Sequence, residues 1–543
     1  MAEKTVPQPA STRKRPRTSP IPPSRAAPPP PASSTSSAGL AAAPSAPSIP
    51  NEPLGTLPVH PPSHYTSLTS SNPSTAAFQL PFHLTSFSYS PTRELLVDRK
   101  RRDEALAVYR EPRLGSDLNH GFERATWRDG SVDEGLDALL DTLSEFAKND
   151  ARPPAAAELL SKISVVTWRG MLTKLMLAVY EVDSVDQGRR GDGWEMNAMV
   201  VDGCLYLEES NPPSKLAAKA ASESSQRLNS YYGYSFEAFA TQPSSSTGGP
   251  DGFDPPNTNV QWCSVVKTNL GGFRTIVGGE VDCVRQGADL SRIGTRDFIE
   301  LKTNIMIQSQ RDEVNFERLK LLKHYVQSFL LGVPTVTVGF RTRQGQLSGL
   351  QSFNTLEIPR LVRGRPHAWD PLACLSSARE LLSFIHRTIT SHPATAIADT
   401  AFLSPPSPSD SPSSPADAAL PSYPVFRVSF TPSSSAIGPA GVTIRELTSQ
   451  EVETEVLAGK KPEERVGFLL ERWVREVRDR RTEAKEREAN APPSPAAPPA
   501  QPPAAVQGSA SRRAPPPPPP PPPATAPPPS AGASGGVAAG LKR

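Results

Sequence analysis

The sequence predicts a mixed α/β (α+β) fold: one domain with a mixed central β-sheet flanked by helices, bounded by long disordered tails. Three observations predict it. Short runs of β-branched and aromatic residues alternate with polar ones, the period of a half-buried strand. Longer segments between them place apolar residues at helical spacing. The 63 prolines among 543 residues are concentrated at the two ends and in one internal stretch, which marks those regions as unable to build a core. The expected organisation is a tail over residues 1–75, a folded domain over 76–480 with a low-complexity insert at 393–420, and a second tail over 481–543.

Composition narrows the function. The net charge of +3 is too small to imply nucleic-acid binding by itself. Cysteines at 204, 263, 283 and 374 show neither CxxC nor Cys/His ligand spacing, so no disulfide framework or zinc site is expected, in keeping with a reducing compartment. No apolar run is long enough to span a bilayer, and the N-terminus lacks the apolar core of a signal peptide.

The elements follow in order. Residues 1–75 are rich in Pro, Ser and Ala, and within them Arg13-Lys14-Arg15-Pro16-Arg17 is a short basic cluster of the nuclear-import type. Order is expected from Phe78, with Leu80-Pro81-Phe82 and Phe87-Ser88-Tyr89 as edge-strand or docking segments. Residues 132–147 form an amphipathic helix on Leu136, Leu139, Leu140 and Leu143. Val165–Gly170 is a short strand or turn leading into an apolar helix from Met171 to Tyr180. Arg169, alone in apolar surroundings, needs a carboxylate or a phosphate as partner. Asn197–Val201 and Leu205–Glu208 pair around Asp202-Gly203. A polar helix from Lys215 leads to an aromatic segment ending at Glu237, and residues 241–257 make a surface loop. Strands at 262–267 and 274–277 turn at Leu270-Gly271-Gly272. Residues 311–331 form a helix with Gln327 beside its apolar stripe, Thr335–Phe340 a strand, and 376–389 another helix. Val425–Phe430 closes the sheet, residues 448–488 are charged and helical, and a proline run at 515–523 favours polyproline II.

The chain is organised around Gly278–Lys302. This stretch opens with Gly-Gly-Glu-Val-Asp-Cys-Val and ends with Phe-Ile-Glu-Leu-Lys-Thr. Side chains two apart on a strand share a face, so Glu280 and Asp282 point one way, and so do Glu300 and Lys302. If the two strands pair, three carboxylates and one ammonium meet on one face of a sheet whose other face is apolar. Clustered carboxylates raise one another's pKa or demand a counter-charge. Oxygen-only donors suit Mg²⁺ or Mn²⁺, and Lys302 can steady a water or a charged phosphate. An acid at 282, seventeen intervening residues, then Glu-x-Lys resembles the core of the PD-(D/E)xK nuclease superfamily.

Further motifs narrow the resemblance to the DXO/Rai-type decapping nucleases. Trp168-Arg169-Gly170, Gly233-Tyr234-Ser235-Phe236-Glu237, Gly279-Glu280-Val281-Asp282 and Glu300-Leu301-Lys302 resemble that family's motifs in order. Gln327, in Gln-Ser-Phe-Leu-Leu-Gly-Val-Pro, resembles its helix glutamine. The resemblance spans roughly residues 76–390 and, in weaker form, 421–480. It implies that Glu237, Asp282, Glu300 and the Leu301 carbonyl bind Mg²⁺ or Mn²⁺, with Glu280 helping to hold a second ion. It implies that Lys302 and Gln327 sit near the attacking water and scissile phosphate, and that Arg169 contacts phosphate or supports the acids. The implied substrates are RNA 5′ ends carrying a triphosphate, an unmethylated cap or an NAD cap. The implied partner is a nuclear 5′→3′ exoribonuclease, either alongside catalysis or in its place, which together with the basic cluster gives a nuclear location. A rival placement of one acidic ligand falls on Glu208 or Glu209.

Overall fold

The computed structural model describes residues 52–149, 153–182, 193–243, 253–403, 419–434 and 438–489. In chain order its main strands are β1 (Gly55–Pro58), β2 (Phe78–Tyr89), β3 (Leu95–Leu96), β4 (Ala107–Tyr109), β5 (Val165–Trp168), β6 (Trp194–Val201), β7 (Cys204–Glu209), β8 (Thr241–Pro243), β9 (Gln261–Leu270), β10 (Phe273–Glu280), β11 (Cys283–Val284), β12 (Phe298–Ile305), β13 (Thr335–Arg341), β14 (Leu347–Asn354), β15 (Phe426–Thr431) and β16 (Gly441–Glu446). They form two mixed sheets in place of the single expected sheet. The larger runs β1-β16-β15-β6-β7-β5-β10-β9-β2-β3, the smaller β14-β13-β12-β11-β4-β8. Parallel pairs occur at β10 with β5, β5 with β7, β12 with β13 and β11 with β4.

The organising stretch crosses from one sheet to the other. β10 ends at Glu280 in the larger sheet and β11 begins at Cys283 in the smaller. The expectation of one continuous strand over Gly278–Val284 is therefore corrected: Val281 and Asp282 are the connector. Only Cys283 and Val284 pair with β12, opposite Ile299 and Phe298, and that register brings Asp282 alongside Glu300.

Local turn chemistry sets the hairpins. Asp202 and Gly203 have φ of 48° and 75°, the left-handed pair that a tight two-residue turn between twisted strands requires. β9 and β10 turn on Gly271-Gly272, one residue later than the predicted start.

Other expectations shift. Residues 52–75, expected to be disordered, fold: β1 pairs with β16, and a helix over Pro62–Ser71 packs on the helix Pro371–Thr390. Tyr65 explains why, since its fully buried ring and its hydroxyl, 2.9 Å from Glu380 Oε2, anchor a segment whose average composition reads as coil. The 132–147 helix begins only at Asp137 and runs to Asn149. The 311–331 helix is divided by a π turn at Phe316–Leu321 before Leu322–Leu331. The first part of the 393–420 insert is a helix, Pro393–Phe402, with Ala398 and Phe402 buried. The 241–257 loop opens with β8. Residues 448–488 are not continuously helical: Arg465–Val466 and Leu469–Leu470 form a hairpin ahead of the helix Glu471–Ala489. Gly467, with φ of 58°, turns the chain there.

The basic cluster at 13–17 and the proline run at 515–523 lie outside the described residues. No helix among the described residues is long and apolar enough to cross a membrane. All four cysteines are buried and unpaired.

Candidate active site at the sheet junction

The junction gathers charge from two strands, the connector between β10 and β11, and two helices. Glu300 and Lys302 come from one face of β12. Asp282 comes from the β10–β11 connector, and Glu280 ends β10. Arg169 is the first residue of the helix Arg169–Leu177, directly after β5. Glu237 lies in the last turn of the long helix Pro213–Ala240, which packs against β12. Phe236, fully buried beside it, lies against Gly339 of β13, where a Cβ would come within 2.5 Å of the ring.

Glu300 is the most enclosed acid. Its Oε2 accepts from Arg169 Nη1 at 2.9 Å and its Oε1 lies 2.7 Å from Lys302 Nζ. Burial works to raise its pKa, but Arg169 and Lys302 together hold it down to about 2. Asp282 Oδ2 accepts from the Leu301 backbone N–H at 2.6 Å and lies 3.4 Å from Lys302 Nζ. Lys302 also donates to the Leu301 carbonyl at 2.9 Å. Glu280 accepts from Gln261 Nε2 at 3.0 Å, and burial with the nearby Asp282 charge pushes it up to about 7. Glu237 is driven well above the carboxylate range by burial first, then by Asp282 and Glu280. Four carboxylates thus face two cations. Without further positive charge, burial and mutual repulsion favour the neutral forms of Glu237 and Glu280.

That deficit, and the donor set, fit a divalent cation. All the candidate donors are oxygens, the chemistry of Mg²⁺ and Mn²⁺ sites. Asp282 Oδ2, Glu300 Oε1 and the Leu301 carbonyl already surround a cation, the Lys302 ammonium. Glu300 Oε1 is buried, and the group it faces is that ammonium at 2.7 Å. Among the described residues no three His, Cys, Asp or Glu side chains are drawn together closely enough to ligate an ion as they stand.

Gln327, on the helix Leu322–Leu331, lines a cleft together with Gly170, the residue after Arg169. The rival acids are held by other partners. Glu208 is buried against Asn197 Nδ2 at 3.1 Å, in a network with Lys460 and Asp133. Glu209 pairs with Lys174 and Lys215 at 2.8 and 3.0 Å. Two residues near the cluster carry no sequence signal. Gln261 opens β9 as an ordinary polar strand end, yet holds Glu280. His324 is buried on the Gln327 helix, and both its ring nitrogens lack partners.

Comparison with known proteins places the chain. A family model described as RAI1-like PD-(D/E)XK nuclease matches residues 79–412. The decapping nuclease RAI1 of Mycosarcoma maydis is 36% identical over 450 residues, covering 72% of this chain and 86% of that protein. The human decapping and exoribonuclease protein is 36% identical over 321 residues, covering 58% of this chain and 76% of its own length. The crystal structure of Scheffersomyces stipitis Rai1 aligns with a TM-score of 0.56 at 22% identity, over 75% of this chain and 98% of that one. That of Candida albicans Rai1 in complex with pU5-Mn²⁺ aligns at 0.56 and 20% identity, over 74% and 96%. At these identities the structural likeness speaks to fold. The chain belongs to the RAI1-like PD-(D/E)XK nuclease family and is an enzyme of that class, a decapping nuclease.

Proposed function

We propose that this protein hydrolyses linkages at RNA 5′ ends in a divalent-cation-dependent reaction, releasing pyrophosphate from triphosphate ends and removing incomplete and NAD caps. One observation carries the reading: Asp282 Oδ2, Glu300 Oε1 and the Leu301 carbonyl converge on a single positive charge at the junction of two sheets. The relatives named decapping nucleases support the substrate class.

Glu237, Asp282, Glu300 and the Leu301 carbonyl are the groups that would hold Mg²⁺ or Mn²⁺, with Glu280 beside them for a second ion. When bound, such a cation lowers the pKa of water and neutralises charge on phosphate. Lys302 acts as a fixed cation. Burial would lower its pKa, but Asp282, Glu300 and Glu237 overcome that and raise it. It therefore stays protonated and serves as a hydrogen-bond donor to substrate oxygen rather than as a base. Arg169 keeps Glu300 ionised and oriented through its 2.9 Å contact. Gln261 fixes one oxygen of Glu280. Gln327 supports the reading from the neighbouring helix, where its amide can reach substrate entering past Gly170.

The proposal extends to partner and place. Removal of a 5′ triphosphate or cap down to a monophosphate makes the substrate of a processive 5′→3′ exoribonuclease, which supports association with such a nuclear enzyme. The basic cluster Arg13-Lys14-Arg15-Pro16-Arg17 supports nuclear import.

The deciding experiment incubates purified full-length protein and Mn²⁺ with RNAs that differ only in the 5′ group, and identifies products by mass. Asp282→Ala should reduce release from triphosphate RNA by about a hundredfold or more while circular dichroism stays native. Full activity in that variant would sink the proposal, and faster cleavage of duplex DNA than of triphosphate RNA would replace it with a DNA nuclease.

A further inference from the structure

Leu80-Pro81-Phe82 lies in β2 and turns two of its three side chains to solvent. Pro81 is buried, so close to Gly332 that a Cβ there would meet Pro81 Cβ at 3.3 Å. Leu80 and Phe82, its neighbours on the strand, point the other way and are 59% and 60% exposed. The pairing of β2 with β9 shifts between Gln79 and Phe82, an irregularity of the kind that re-aims side chains. Phe82 pairs with Lys267 of β9, which pairs with Ile276 of β10, four residues before Glu280. The segment therefore stands roughly 13 Å along the sheet from that acid.

A pocket of about 350 Å³ adjoins Phe82. Lys267 joins the two: it lines the pocket, and its ammonium lies 5.5 Å from the Phe82 ring centroid. One wall is apolar, made by Ala155, Leu159 and Ile163, which follow at intervals of four along the helix Pro153–Ser161 and the turn after it. The opposite wall is basic, with Lys267 from β9 and Arg274 from β10. Glu158 is the one acid in the lining, and Lys162, also in the lining, pairs with it. Lys267 and Arg274 enter no ion pair among the described residues. Two uncompensated cations thus face an aliphatic wall, with two exposed apolar side chains alongside, the make-up of a protein interaction site.

We infer that this surface docks an acidic peptide segment of another protein. An apolar side chain of that segment seats against Leu159 and Ile163, its carboxylates meet Lys267 and Arg274, and its flanking apolar residues cover Phe82 and Leu80. Charge complementarity selects acids for the basic wall. A peptide fits better than a nucleic-acid strand, because the Phe82 ring already carries Lys267 and the rest of the apolar surface is aliphatic, which suits side chains rather than stacked bases. The contact is made through side chains rather than by strand addition. β3 covers β2 only at Ser88 and Tyr89, but Pro81, which has no N–H, interrupts the edge that is left open.

The test selects random short peptides displayed on phage against the full-length protein, with the triple variant Phe82→Ala, Lys267→Glu, Arg274→Glu as counter-selection. Enriched peptides should carry Asp or Glu next to a large apolar residue. A synthetic peptide of the enriched consensus is then titrated by fluorescence anisotropy. It should bind about tenfold more weakly to Lys267→Glu and to Arg274→Glu, about fivefold more weakly to Phe82→Ala, and less tightly as salt rises. Phe82 and Arg274 are exposed and Lys267 is half-buried, so circular dichroism should stay native and turnover of triphosphate RNA should stay within about twofold. No enrichment over the triple variant, enriched peptides free of acids, or a consensus peptide that binds the variants like the wild type would each overturn the inference. So would an equal loss of single-stranded RNA affinity in the same variants, measured in metal-free buffer, which would give the surface to nucleic acid.

Discussion

Glu237 and Glu208 are both acids driven upward in pKa by burial, yet their surroundings give them different work. Glu237 feels Asp282, Glu280 and Glu300, whereas Glu208, pushed up to about 7, is balanced by Lys460 and braced by Asn197. Glu237→Gln should therefore lower Mn²⁺-dependent turnover by about a hundredfold or more, and Glu208→Gln should leave it within about twofold; steady-state kinetics at saturating Mn²⁺ compares them. His324 gives a pH prediction. Burial, then the Lys302 charge, lowers its pKa from 6.5 to about 3. Below pH 6.5 the unfolded chain binds a proton that the folded chain refuses, so stability falls as pH drops through this window until about pH 3. His324→Leu removes that term, and the stability lost between pH 7 and pH 5 should shrink by about 2 kcal/mol in denaturant titrations. An identical pH dependence in the variant would show that the ring is satisfied in solution.

At the scale of elements, the decisive event is the passage of the chain from the larger sheet to the smaller within Val281-Asp282. A continuous strand would hold Glu280 and Asp282 in one pleat. The break lets Glu280 remain against β9, where Gln261 holds it, while Asp282 reaches the β12 backbone at Leu301. The long helix is set against β12 and β13 by close approach at Gly339, where a Cβ would meet the Phe236 ring at 2.5 Å. Since Glu237 follows Phe236, Gly339→Ala should displace the acid as well as strain the core. A loss of about 1–3 kcal/mol in stability, accompanied by a fall in kcat, is expected from urea unfolding and kinetics. Unaltered kcat at lowered stability would separate the packing contact from the site. The motif spacing showed that these acids belong together, but the sheet change was illegible because an alternating pattern reads the same whichever sheet receives its hydrogen bonds.

Across the whole molecule, the N-terminal segment is part of the structure rather than an appendage. β1 covers the β16 edge, which would otherwise present unpaired backbone groups, and Tyr65 fills the space above the helix Pro371–Thr390. Tyr65→Ala should destabilise the protein by about 3–5 kcal/mol, as loss of a fully buried aromatic does, and calorimetry reads it as a large fall in Tm. A change under about 1 kcal/mol would place the segment outside the cooperative unit. Composition misled here because Pro and Ser dominate residues 52–75, while the burial that orders them depends on Tyr65 and Val59 meeting residues more than three hundred positions away.

The sequence by itself determined which side chains can do chemistry. Acid-x-acid and Glu-x-Lys within apolar strands, an isolated Arg before a helix, and an acid after Gly-Tyr-Ser-Phe are local patterns, and local periodicity dictates which of their side chains share a face. Tertiary structure alone decided how those faces meet. It placed the acids at the seam of two sheets, aimed Lys302 among three oxygens, assigned Gln261 to Glu280, and put Gln327 in a cleft with Gly170. These are long-range registers, set by which strands hydrogen-bond and which helices pack, and no pattern confined to one segment encodes them.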